Sequence, residues 1–128
     1  MSPQYLLARG LLSSAEKGDC MQLMKYLAVK DQPLPHFLFL DLNMPRMSGL
    51  ECLKEIRSNN LYKDMPIAIY STSISSHDVD ETFANGATIY IKKPNGFNEL
   101  IQVLKRAILT IHTYRISPVN RANFLVTA

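Results

Sequence analysis

Nothing in this chain resembles a signal peptide, and no apolar run approaches the roughly 20 residues that a membrane-spanning helix needs. The sequence therefore reads as that of a cytoplasmic protein. Cysteine is scarce: Cys20 and Cys52 form no CxxC pair and have no histidine at metal-ligand spacing, which speaks against a zinc site and predicts two buried thiols in a reducing compartment. His36, His77 and His112 are scattered, and none has a partner suggesting a relay or a metal. Lys and Arg nowhere cluster with interleaved aromatics, and the net charge of +3 is spread out, so no nucleic-acid footprint is indicated. There is no internal repeat and no low-complexity stretch. No Gly/Ser/Thr phosphate loop follows a first strand, which argues against a flavodoxin-like flavin binder.

What is present is ordinary globular material. At 128 residues, 47% hydrophobic and 20% charged, the chain predicts one domain, 1–128, with a single core and a tail from Ser117 to Ala128 whose Phe124-Leu125-Val126 can dock back. Residues 1–18 admit two readings, a helix opened by Ser2-Pro3 or a short strand at Tyr5–Ala8 or Leu11-Leu12. From Asp19, which can cap it, Cys20, Leu23, Met24, Leu27 and Ala28 fall on one helical face. Phe37-Leu38-Phe39-Leu40 is apolar on both alternating sets, as in a strand buried on both faces, and it stops at Asp41. Asn43, Pro45 and Gly49 mark the exit, and Leu50, Leu53 and Ile56 recur at helical spacing. A second run, Ile67-Ala68-Ile69-Tyr70, stops at Ser71. A third, Ala87 to Ile91, stops at Lys92-Lys93-Pro94. Ser75 or Ser76 caps a short helix carrying Val79 and Phe83, with Asp78, Asp80 and Glu81 as a solvated face and Gly86 as its stop. Phe97, Leu100, Ile101, Leu104, Ile108 and Ile111 predict the core face of the last helix.

Strands alternating with helices predict a parallel sheet of right-handed crossovers. Asp41, Ser71 and Lys93 would then lie at the carboxyl ends of three separate strands, where such sheets bind ligands. A carboxylate, a hydroxyl and an ammonium at one rim suit phosphoryl transfer, with the Asp as nucleophile and the other two holding phosphoryl oxygens.

Read as FLFLDLNMPRMSGLECLKEIR, then MPIAIYSTS, then ATIYIKKPN, residues 11–112 resemble the receiver domain of two-component response regulators, a CheY-like member of the flavodoxin-like α/β folds. The resemblance implies a doubly wound parallel sheet. It makes Asp41 the phosphoacceptor, Ser71 the hydroxyl residue that moves onto the phosphoryl group, Lys93 the cation before a proline that is often cis, and Tyr90 the switch aromatic. Gly49 would start the following helix, and Asp41 with the Asn43 main-chain carbonyl would hold Mg²⁺. The implied partners are a histidine kinase or histidine phosphotransfer protein and a downstream protein.

The sequence departs from that family at its amino-terminal end. Receivers carry two acids at the end of their first strand, and counted back from Asp41 that pair would fall before Met1. Glu16 and Asp19 are the only acids upstream of the first clear helix, so the Mg²⁺ site is weak. If Leu11 to Gly18 is the second strand and its exit, the first strand, which occupies the middle of the sheet, is missing, and the fold is truncated or rearranged there. Three repairs present themselves: the Tyr5–Leu12 segment fills the central slot, a second copy pairs as a homodimer, or the gene begins further upstream. The resemblance implies two candidate functions, a stand-alone receiver that accepts a phosphoryl group and a degenerate receiver that is a phosphorylation-independent binding module. A haloacid-dehalogenase-like phosphatase, the enzyme alternative, needs an acid where Asn43 stands.

Overall fold

Leu38 and Leu40 pack into one apolar cluster and Phe39 into another on the opposite side, so the run ending at Asp41 is buried on both faces. That is the requirement of a parallel sheet covered by helices. The computed structural model describes residues 5–7, 20–29, 37–42, 48–114 and 121–127. Among them are five strands, β1 (Tyr5–Leu7), β2 (Phe37–Asp41), β3 (Ile67–Ser71), β4 (Ile89–Lys92) and β5 (Leu125–Val126). The helices are α1 (Cys20–Leu27), α2 (Gly49–Ser58), α3 (Ser76–Ala84) and α4 (Phe97–Tyr114). All pairings are parallel, in the order β1-β2-β3-β4-β5. No helix among the described residues is long and apolar enough to cross a membrane.

The helices begin and end where local chemistry sets them. Ser48 caps α2 by accepting from the Glu51 N–H at 3.2 Å, and Ser75 caps α3 by accepting from the Asp78 N–H at 3.2 Å. Gly86 closes α3 with a positive φ of 94°, its N–H bonded to the Phe83 carbonyl. Arg57, near the end of α2, donates to the carbonyls of Gly86, Tyr62 and Lys63 at 2.9, 2.6 and 3.2 Å. One guanidinium thus pins two loops, a use of Arg that no sequence periodicity announces.

Cys20, Leu23, Leu27, Cys52, Leu53, Ile56 and Val79 fill the face covered by α1, α2 and α3, while Val103 and Ala107 of α4 fill the other. α4 thus covers the face of the sheet opposite to that covered by α1, α2 and α3.

Several expectations change. Tyr5–Leu7 is a strand, which decides between the two readings of the amino-terminal segment and places that strand beside β2, the neighbour position that the family's first strand occupies. Residues 8–19, with the expected second strand at Leu11–Gly18, Glu16 and the Asp19 cap, lie outside the described residues, as do Asn43 and Pro45. Cys20 and Cys52 are not separate thiols: they form a disulfide joining α1 to α2, with Cα atoms 5.4 Å apart. On α4 the buried positions among the described side chains are Val103 and Ala107, with Leu104 partly buried against the same cluster, whereas Phe97 is 74% exposed. The short side chains let the helix lie close to the sheet, and the larger apolar residues flank the contact. The Lys93–Pro94 bond is trans.

Candidate functional site

Asp41 ends β2, Ser71 ends β3, and Lys93 directly follows β4. Because these strands are adjacent and parallel, the three residues meet at one rim. Lys93 Nζ reaches across the end of β3 to Asp41 Oδ2 at 2.7 Å. Its main-chain N–H donates to the Ser71 carbonyl at 2.8 Å, which fixes where the side chain begins its reach. The ammonium also lies 4.7 Å from the centre of the Tyr70 ring. A cation over an aromatic face is held there by the ring quadrupole. The Asp41 side chain is only 3% exposed and that of Lys93 26%, so the pair interacts with little solvent screening.

Gly49 explains how α2 can start so close to this carboxylate. Its N–H bonds to the Leu42 carbonyl at 2.8 Å. A Cβ there would sit 2.5 Å from the Asp41 carbonyl oxygen and 2.6 Å from Leu42 Cα, so only glycine permits the approach.

Ser71 opens a hydroxyl-rich turn. Its Oγ accepts from the Ser73 N–H at 3.1 Å, the Ser73 hydroxyl donates to Asp78 Oδ2 at 2.9 Å, and Ser73 Oγ accepts from the Ser75 N–H at 3.3 Å. Tyr90 is fully buried and its hydroxyl donates to the Ser73 carbonyl at 2.5 Å. Burial holds its phenol above the usual tyrosine value, a hydrogen bond from Ser71 opposes that, and the Asp78 charge adds to it. A short path of contacts therefore links the Asp41 rim to Tyr90. Sequence reasoning missed Ser73 and Asp78 as members of it, because a serine in a turn and an acid on a helix carry no signal of their own. Asp78, expected on a solvated face, is half-buried in this turn.

A divalent cation is less well served. Among the described residues no group of three or more His, Cys, Asp or Glu side chains could hold a metal ion. Oδ2 of Asp41 is already committed to Lys93, and Mg²⁺ asks for near-octahedral oxygen coordination. Asn43 lies outside the described residues. The described residues do not make a Mg²⁺ cage.

Comparison with known proteins bears on the family and the fold. Residues 4–105 match the family described as response regulator receiver domain. The probable methanogenesis regulatory protein FilR2 of Methanothrix harundinacea is 31% identical over 81 residues, which are 63% of this chain and 50% of that protein. The chain spans about half the length of the curated relatives it matches first. Among solved structures, the phosphorylated cyanobacterial phytochrome response regulator RcpA superposes with a TM-score of 0.69 at 24% identity, covering 93% of this chain and 98% of RcpA. The Mn²⁺-bound form of response regulator Rcp1 gives 0.63 at 21%, covering 92% and 98%. At those identities the likeness is one of fold.

Proposed function

The chain belongs to the response regulator receiver family, and on that premise we propose that it accepts a phosphoryl group on Asp41 from the phosphohistidine of a histidine kinase or phosphotransfer protein. The observation that carries this reading is the convergence of Asp41, Ser71 and Lys93 at the carboxyl rim of three adjacent strands. A carboxylate oxygen of Asp41 attacks phosphorus, the phosphorus–nitrogen bond breaks, and the released imidazole takes a proton from solvent. Lys93 neutralises charge on the acyl phosphate, Ser71 moves to hydrogen-bond a phosphoryl oxygen, and Tyr90 follows through the Ser71–Ser73 turn. Receiver domains typically hold Mg²⁺ or Mn²⁺, which would neutralise charge on the phosphoryl oxygens; the described residues do not cage such an ion. The altered Tyr90 surface would then be read by a downstream protein.

The test is incubation of the chain with a small phosphodonor, with and without Mg²⁺, followed by intact-mass measurement. A phosphoryl mass gain that disappears in Asp41→Asn supports the reading; no gain under either condition overturns it. One observation favours a second reading. Asp41 is nearly buried and already neutralised by Lys93, as in a site kept for structure, and the chain would then be a phosphorylation-independent binding module. Partner binding that survives Asp41→Asn unchanged would favour that alternative, and its loss would dismiss it.

A further inference from the structure

The edge of β4 that faces away from β3 is filled by this chain's own carboxyl-terminal segment, and the contacts are specific. Phe124 is fully buried; its ring meets that of Phe83 edge-on with centroids 5.1 Å apart, and the ring of Tyr90 at 6.2 Å. The Tyr90 N–H donates to the Phe124 carbonyl at 2.9 Å, after which Leu125 and Val126 pair with Tyr90 and Ile91. Each end is tied by a guanidinium. Arg121 donates to Asp80 of α3 at 2.8 and 3.0 Å, and Arg106 of α4 donates to the Thr127 carbonyl at 2.6 Å. The ladder itself is only two residues long. The segment is therefore held by its side-chain anchors more than by its ladder, which makes it a separable unit of the fold.

We infer that the β4 edge, with the aromatic slot between Phe83 and Tyr90, is a docking surface for a short extended peptide carrying an aromatic residue followed by two aliphatic ones, and that its resident occupant is the segment Arg121–Thr127 of the same chain, which holds Tyr90 inward. Whatever stabilises the buried Tyr90 tightens the segment, and the segment in turn stabilises the buried Tyr90, since coupling between two sites is reciprocal. A partner peptide of that chemistry gains the edge only when the segment leaves it. The contact is made without a phosphoryl group on Asp41, so it is tested without a phosphodonor.

Amide hydrogen exchange on the 128-residue chain, with nitration of Tyr90 as a second readout, tests it. Phe124→Ala is expected to speed exchange of the 89–92 amides about tenfold or more and to open Tyr90 to nitration, while α2 keeps its protection. Arg121→Ala, a surface change, is expected to do the same to a smaller degree, and it decides alone if Phe124→Ala does not fold. A synthetic peptide of residues 119–128 added to Phe124→Ala should restore the protection, and the same peptide with Phe124→Ala should not. Unchanged exchange at 89–92 in the folded variants, or a peptide without effect, overturns the inference. So does protection in the unsubstituted chain that falls on dilution, which would assign the strand to a second copy.

Discussion

Lys93 serves two contacts at once, the Asp41 carboxylate and the Tyr70 ring, and its removal would leave a carboxylate that is 3% exposed without its cation. Breaking a fully buried pair costs about 3 to 5 kcal/mol; because the Lys93 end is partly solvated, Lys93→Met should cost about 1 to 3 kcal/mol at neutral pH. Urea denaturation of Lys93→Met, Asp41→Asn and the double variant is the measurement, and the double variant should regain part of the single variants' loss. Strict additivity would mean that the pair is not coupled. Two tyrosines give a second check at this scale. Burial raises the phenol pKa of both Tyr70 and Tyr90 above 10.0, aided at Tyr70 by the Asp41 charge. The unfolded chain loses these protons near pH 10 while the folded chain keeps them. The stability they lend is therefore whole below about pH 10 and is lost as pH rises through the folded values. Urea midpoints measured from neutral pH upward should fall more steeply in the unsubstituted chain than in Tyr90→Phe.

The elements were legible in proportion to how far local pattern alone decides them. The runs at 37–40 and 67–70 announce strands because both faces are apolar, and Ser75 and Gly86 announce the ends of α3 because capping and a positive φ are local requirements. The phase of α4 was legible only in part: Leu104 packs against the sheet cluster as its spacing announced, but Phe97, Leu100 and Ile101 outweigh Val103 and Ala107 in a periodicity count, and it is Val103 and Ala107 that are fully buried. Nor was the Cys20–Cys52 bond, since two cysteines separated by 32 residues carry no spacing signal and only the packing of α1 on α2 brings them together. Closing a loop of that length stabilises by about 3 to 4 kcal/mol in the chain-entropy account. The expected outcome is no free thiol in the folded protein by reagent titration, and a urea midpoint that falls on adding dithiothreitol but is unaffected by it in a Cys20→Ala, Cys52→Ala variant. Two titratable thiols in the untreated protein would contradict the bond.

At the scale of the whole molecule, the site rim was legible because it needs only three strands, whereas the flanks of the sheet were legible in part: Phe124-Leu125-Val126 announced that it docks back but not that it pairs with β4, and Tyr5–Leu7 was one of two readings. Which segment stands beside β2 and which beyond β4 is a question of what fills an edge, and strands of three and two residues leave almost no trace in sequence. Tyr5–Leu7 answers the first by pairing Tyr5 with Phe37, Leu6 with Leu38 and Leu7 with Phe39. Its role can be tested by deletion. Without residues 1–7, β2 loses its neighbour on the side away from β3, and each buried backbone group left unpaired costs about 1 to 3 kcal/mol. Since β2 carries Asp41, the loss falls on the strand that positions the rim. The shortened chain should lose its cooperative urea transition, or recover it only by self-association visible in sedimentation, because a bare edge is a template for another strand. A monomer with an undiminished midpoint would show that this strand does not close the sheet.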